Sequence, residues 1–253
     1  VYRSRSAAQI ADLPTLQRVE VLRGPQSTLF GKHASAGVIS IVTAEPQREW
    51  GGNLEGTIGN YSAFRLKGDV TGPISETLAF SLAANLNERD GYAEDFATGS
   101  DVNQRDRYGF RGQLLFEPTD TLKFRLIGDF DKIDEICCVA GNVINGPTGA
   151  VIGLLGGQID AEDPFSYEVF NNFDSTNDIE NQGVSLQGDL DLGFATATSI
   201  TSYRTVDALT NQDSDFTSAD LVSRNFNETN IATFTQEIRL PSNPSDSRFD
   251  WMI

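Results

Sequence analysis

The residue types that most often perform catalysis are scarce in this chain. Among 253 residues there is one histidine, His33, and one pair of cysteines, Cys137 and Cys138. A Ser-His-Asp triad would have to form around His33, where the sequence shows no nucleophile elbow. A zinc ribbon or a multi-histidine metal centre needs more ligands than these residues supply. The sequence therefore predicts that the protein is not an enzyme and binds no cofactor or resident metal.

The adjacent cysteines lie in a long polar stretch. Neighbouring residues reach disulfide geometry only with strain, but an oxidising compartment permits a bond between them or pairing elsewhere. We expect Cys137 and Cys138 to form a local disulfide in a surface loop, and a redox or metal function is the weaker alternative.

Several carboxylates could imitate known sites. The polar stretch contains Asp160, Glu162, Asp163, Asp174 and Asp178. Their spacing lacks the central Gly and closing Glu of an EF-hand, so a solvated acidic loop is favoured over a Ca²⁺ site. Asp189 and Asp191 share one face of a predicted strand and could resemble a glycosidase pair. They are explained more simply as polar residues of a water-filled lumen.

The segment from Gly24 to Lys32 superficially resembles a phosphate-binding loop. Too many residues separate Gly24 from Gly31, and His33 stands where a Ser or Thr should follow Lys32. The formal charge of -17, from 36 acidic against 19 basic residues, also opposes binding to a polyanion. Nucleotide binding and nucleic-acid binding are therefore not expected.

Most of the chain after Glu49 alternates apolar and polar residues with a period of two, which predicts β-strands. One apolar face is formed by Leu122, Phe124, Leu126, Gly128 and Phe130, and the opposite face by Lys123, Arg125, Asp129 and Asp131. The same pattern recurs in residues 64–70, 78–87, 107–116 and 184–192. The strands are long for a soluble β-sandwich, in which about five or six residues are usual.

The connections between these strands alternate in length. Residues 72–76 and 117–120 are short turns with Pro and polar residues, whereas 91–103, 133–181 and 207–229 are predicted as long acidic loops. Short turns at one end and long loops at the other are typical of an outer-membrane barrel. A soluble β-sandwich remains the alternative from the pattern alone.

The amino-terminal part carries a more specific signal. Residues 18–31, RVEVLRGPQSTLFG, followed by residues 34–43, ASAGVISIVT, resemble the end of the plug domain of TonB-dependent outer-membrane receptors. Residues 59–61, 72–74 and 89–92 resemble the first barrel strands of that family, and 236–240 resembles a later one. The resemblance is strong to about Pro118 and looser in the loops.

The resemblance implies an all-β fold in which the C-terminal part of a plug, residues 1–47, precedes the first eight or nine antiparallel strands of a transmembrane barrel, residues 48–253. The complete barrel would have about 22 strands. The front of the plug and its energy-coupling peptide are not in this sequence.

The resemblance also implies a function, location and partners. It implies active transport across the outer membrane of a Gram-negative bacterium, with energy delivered by TonB and with outer-membrane lipid around the barrel. The implied cargo is a ferric siderophore, and another scarce nutrient such as cobalamin or a saccharide is the alternative. A passive porin or adhesin barrel and a soluble carbohydrate-active enzyme or binding module are kept as further alternatives. The plug-like segment disfavours both.

Site residues follow from the resemblance and from position. Glu20 and Arg23 are expected to form ion pairs that hold the plug to the barrel. The alternative is that both are surface charges, which contribute only about 0–1 kcal/mol to stability. Gly24, Gly31 and Gly37 are expected to permit tight turns in the plug. The aromatic residues of the long loop that could contact a ligand are Phe165, Tyr167, Phe170 and Phe173.

Overall fold

The structure is a computed structural model that describes residues 16–26, 36–158, 162–163, 165–222, 224–243, 249 and 251–253. Its elements in chain order are β1 (Leu16–Arg23), β2 (Gly37–Thr43), β3 (Gly51–Ile58), β4 (Phe64–Pro73), β5 (Leu78–Arg89), β6 (Ala93–Asp95), β7 (Asp101–Val102), β8 (Arg105–Thr119), β9 (Leu122–Ile136), α1 (Thr148–Leu154), β10 (Glu168–Val169), β11 (Thr176–Asp191), β12 (Thr196–Gln212) and β13 (Asn225–Arg239).

Eight strands form one antiparallel sheet, which we call the wall sheet. Its order is β13-β12-β11-β9-β8-β5-β4-β3. Each strand of the wall sheet is therefore hydrogen-bonded to the wall strand that comes before or after it along the chain. The strands β1 and β2 form a separate antiparallel pair. The alternation of apolar and polar residues predicted the strands, and the family resemblance implied their antiparallel order.

The two faces of the wall sheet have opposite character. On the outer face, Leu114, Leu126 and Leu186 are direct neighbours across three strands, and they are 39%, 41% and 46% exposed. On the inner face, Arg125 and Arg204 are buried at 9% and 8% exposure. Exposed leucines and buried arginines reverse the arrangement of a soluble domain, and they match a barrel with lipid outside and a polar lumen.

The strands are longer than the sequence pattern predicts. The ladder between β9 and β11 continues to the pair Ile136 and Thr176, and the ladder between β12 and β13 continues to Gln212 and Asn225. These ends lie within the predicted long loops because their polar side chains hide the alternation that marks the rest of each strand. Hydrogen bonding between the strands does not require that alternation.

The long loops pack into a structured unit at one end of the wall sheet, which we call the loop cap. It contains the three-stranded sheet β10-β6-β7 and the short helix α1. Its small core consists of Ala93, Val102 and Val169, with Ile136 and Val139 packed against it. The short connections 74–77, 120–121 and 192–195 lie at the opposite end of the wall sheet. Within the described ranges, no helix is long and apolar enough to cross a bilayer.

Candidate functional site

The β1–β2 pair ends in two glycines with unusual backbone geometry. Gly24 has a φ of 83° and its N–H donates to the Ala36 carbonyl at 3.2 Å. Gly37 has a φ of 154°, and a Cβ there would lie 2.6 Å from the Leu22 carbonyl oxygen. Both positions therefore disfavour any residue with a side chain. Gly31 and His33 lie outside the described residues.

The proposed lock residues lie on this pair. Arg18 Nε donates to Glu20 Oε1 at 2.6 Å, and this hydrogen bond lowers the pKa of Glu20. The Arg23 carbonyl accepts a hydrogen bond from Gln26 Nε2 at 3.3 Å. These contacts lie within β1 and the turn after it, so a role for Glu20 and Arg23 in locking the plug to the barrel stays a prediction.

The last residue of β2 and the segment after it make direct contacts with the inner face of the wall sheet. We call residues 43–48 the junction segment. Gln113 of β8 donates to the Ala44 carbonyl at 3.1 Å. Lys123 of β9 binds Glu45 Oε2 at 2.7 Å, and Arg125 binds Glu45 Oε1 at 3.3 Å. The inward position of Arg125 follows from the sequence pattern, but its partners do not, because they depend on how the junction segment lies in three dimensions.

The inner face also carries buried ion pairs between strands. Arg204 of β12 binds Asp129 of β9 with two hydrogen bonds, at 2.8 and 2.5 Å. Gly183 of β11 lies between them, and a Cβ there would be 2.5 Å from Arg204 Nη1. Nearer the loop cap, Arg107 forms a second bidentate ion pair, with both carboxylate oxygens of Glu135. Pairing of this kind is required for buried charges, because an unpaired ion loses its hydration without compensation.

Aromatic side chains are concentrated at the loop cap. Tyr92 makes edge contacts with Tyr61 at 6.4 Å and with Tyr167 at 6.0 Å between ring centroids. The Arg89 guanidinium lies 5.1 Å from the Tyr92 ring. Tyr167 is therefore part of a packed cluster, and it is still 53% exposed.

The other three predicted aromatics differ in environment. Phe170 stacks on Phe96 at 5.7 Å, Phe173 is half-buried, and Phe165 is 79% exposed. The sequence analysis predicted Phe165, Tyr167, Phe170 and Phe173 as ligand-contacting aromatic residues. It did not predict Tyr61, Tyr92 and Phe96, which come from other loops. A ligand contact by any of them stays a prediction.

The cysteines lie at the base of the loop cap. Cys137 and Cys138 are joined by a disulfide. The N–H of Cys137 donates to the Ser175 carbonyl at 2.7 Å, and the N–H of Cys138 donates to Asn103 Oδ1 at 3.1 Å. The disulfide therefore lies where three loop segments meet.

The acidic residues have separate structural partners. Asp174 accepts hydrogen bonds from Thr98 and Ser100, and Asp178 pairs with Lys132. Glu162 and Asp163 accept backbone N–H groups at Asn145 and Phe165. Asp189 accepts from Thr198, and Asp191 accepts from Asn243. Asp160 is outside the described residues, among which no group of three or more potential ligands surrounds a metal position.

The antiparallel wall sheet and its inverted faces are features of an outer-membrane barrel. The structure of the ferric yersiniabactin uptake receptor from Yersinia pestis superposes with a TM-score of 0.77 at 22% identity, covering 95% of this chain and 35% of that one. The chain therefore has the fold of that receptor over nearly its whole length. No protein-family model matches the chain.

Two relatives share part of the sequence. The pesticin receptor of Yersinia enterocolitica is 40% identical over 85 residues, which are 34% of this chain and 13% of that protein. The ferrienterobactin receptor of Escherichia coli is 30% identical over 86 residues, which are 32% and 12% of the two chains. The chain thus covers a minor part of each relative.

These comparisons confirm the predicted resemblance to TonB-dependent outer-membrane receptors and the predicted all-β barrel fold. The reported relatives are named as receptors and the structural neighbour as an uptake receptor, in agreement with the prediction that this chain is not an enzyme.

Proposed function

We propose that this chain is part of an outer-membrane receptor that takes up a ferric siderophore. The observation that carries the proposal is the fold shared with the ferric yersiniabactin uptake receptor over 95% of the chain. The identity with the ferrienterobactin receptor supports the same class of cargo. In this account residues 1–47 end the plug and residues 48–253 begin the barrel.

We further propose that the receptor is energised by TonB. The junction segment ties the β1–β2 pair to the lumen wall, so a plug closes the barrel at rest and has to move before cargo passes. TonB would supply the energy for that movement, while the ion pairs at Glu45 hold the junction segment to the wall sheet.

The loop cap is the proposed site of first contact with cargo. Siderophores that carry aromatic groups would stack on exposed rings, and Phe165 and Tyr167 are the most exposed of the predicted aromatics. The cap is held in shape by its own small sheet and by buried Asp95, which accepts a 2.8 Å hydrogen bond from Asn171.

Binding to the complete receptor tests the class of cargo. Ferric yersiniabactin or ferric enterobactin should quench the intrinsic fluorescence of the purified receptor. The iron-free siderophore, cobalamin and a maltooligosaccharide should not. Tyr167→Ala should weaken binding by about tenfold, whereas Phe234→Ala on the outer face should not. Binding of cobalamin or saccharide alone would replace the ferric-siderophore proposal.

A further inference from the structure

We propose that Arg125 anchors the junction segment to the wall sheet, so that this end of the plug seals the lumen and stays in place while the part before it moves. The inference rests on the proposed transport function for that movement. The anchor itself is defined by contacts that do not depend on which cargo is carried.

The side chain of Arg125 lies between the junction segment and Gln113 of β8. The two N–H groups of its Nη2 are shared among the carbonyls of Thr43 at 3.4 Å and Ala44 at 3.3 Å and Gln113 Oε1 at 2.5 Å. Its Nη1 donates to Glu45 Oε1 at 3.3 Å. A guanidinium offers five donors in a fixed plane, so one residue can hold several acceptors of the junction segment at once.

Neighbouring residues hold Arg125 and the junction segment in this arrangement. Gln113 is oriented by a 3.0 Å hydrogen bond to Ser81 of β5. Further along the junction segment, the N–H of Gln47 donates to Thr71 Oγ1 at 2.8 Å, and Arg48 binds Glu117 at 2.5 Å. The junction segment is therefore attached to β4, β8 and β9.

The described hydrogen bonds of the junction segment to the wall sheet begin at the end of β2. Thr43, Ala44 and Glu45 bind Arg125, and Gln47 and Arg48 continue the attachment. A pull on the chain before β2 would therefore meet its firmest described attachment at the junction segment. This placement marks the boundary between the moving and the fixed parts.

Arg204 provides a matched control. Its side chain is 9% exposed, against 10% for Arg125, and it also lies on the inner face. Its described ion pair is with Asp129, which belongs to the wall sheet. Replacing Arg204 removes a buried arginine of the same kind without touching the contacts of the junction segment.

Ion conductance of the complete receptor in a planar bilayer measures whether the lumen is sealed. Arg125→Met should raise the fraction of conducting receptors by at least about tenfold, because several charged hydrogen bonds are lost. Arg204→Met should conduct like the wild type, with insertion checked for both variants by heat-modified electrophoretic mobility. No increase for Arg125→Met, or an equal increase for both variants, would overturn the proposal.

A second substitution decides the matter if Arg125→Met fails to insert. Glu45 has a side chain that is 40% exposed, so Glu45→Lys should fold while placing like charges beside Lys123 and Arg125. It should conduct, and Lys123→Glu in the same receptor should restore the seal. If Glu45→Lys does not raise the conductance, or if Lys123→Glu does not restore the seal, the proposed role of Arg125 as an anchor is contradicted. A receptor that seals normally but binds no ferric siderophore would instead refute the proposed function.

Discussion

Buried charges on the inner face are stabilised by pairing with a specific neighbour, and the backbone must leave room for that neighbour. The Arg204–Asp129 pair spans β9, β11 and β12, and the guanidinium lies against Gly183. A Cβ at Gly183 would also lie 2.8 Å from Arg204 Cγ, so rotation of the side-chain tip alone cannot relieve the contact. The ion pair therefore requires the space that Gly183 leaves.

Gly183→Val should destabilise the wall sheet by about 3 kcal/mol, because it breaks a buried ion pair. Gly128→Val is the matched control, since a Cβ at Gly128 meets no atom within 4 Å. Urea unfolding of the complete receptor in lipid vesicles gives both free energies. Equal losses for the two variants would show that the space beside Arg204 is not the cause.

Asp213 is a buried carboxylate in the loop between β12 and β13. It is 0% exposed and accepts hydrogen bonds from the N–H groups of Asp215 and Phe216, both at 3.1 Å. Burial raises the pKa of Asp213 despite these donors. Its folded pKa thus lies above the unfolded value, so the protonated form is favoured by folding.

The loop should accordingly be most stable below the unfolded pKa of about 3.9 and lose that stability as the pH rises through the raised folded value. Hydrogen-exchange protection factors of residues 213–222, corrected for the intrinsic exchange rate, should fall over this range. Asp213→Asn should remove the dependence, because an amide oxygen still accepts both N–H groups without a charge. A protection profile that rises with pH would contradict the assignment.

The strands of the wall sheet were predictable because the alternation of apolar and polar side chains is visible within each strand's own sequence. Alternation in β9 placed Leu126 outside and Arg125 inside, and it marked Ile127 as an apolar exception on the inner face. The structure pairs Ile127 with Gln113 on that face. The ends of β11 and β12 were not predictable, because polar residues there carry no alternation and only the partner strand defines the pairing.

The loop cap could not be predicted from local pattern. Its parallel pairing joins Glu94 to Glu168, which are far apart in sequence, and each strand involved has only two or three residues. The partners of Arg125 were not predicted for the same reason. Thr43 and Ala44 are far from β9 in sequence and come close to it only in the folded protein. Such contacts depend on the assembled fold.

The outer face of the wall sheet gives a direct test of membrane placement. Leu126→Arg should reduce barrel stability by about 2–4 kcal/mol if Leu126 lies near the bilayer midplane. Ile127→Arg, one residue along the same strand but on the lumen side, should lose less than about 1 kcal/mol. Unfolding in vesicles measures both. A larger loss at Ile127 than at Leu126 would mean that the faces are reversed.

At the scale of the molecule, the wall sheet is open in the described residues, with β3 and β13 at its edges. Open edges expose unpaired backbone groups, and closed barrels remove them. In the proposed receptor, further strands join these edges and enclose the plug.

The class of protein was predictable from sequence because the plug-end stretch is long and specific, whereas the cargo was not. The residues that would recognise a siderophore lie in loops, and loop sequences vary while the scaffold stays the same. The aromatic cluster of Tyr61, Tyr92 and Tyr167 illustrates this, since three separate loops contribute to it.

Energy-coupled uptake of a ferric siderophore is tested by the accumulation of radiolabelled iron in cells whose only siderophore receptor is the complete protein. We expect accumulation from ferric yersiniabactin or ferric enterobactin that stops when the proton gradient is collapsed or TonB is deleted. Accumulation that continues unchanged without the gradient and without TonB would contradict the claim. So would a folded, inserted receptor that accumulates no iron from any ferric siderophore.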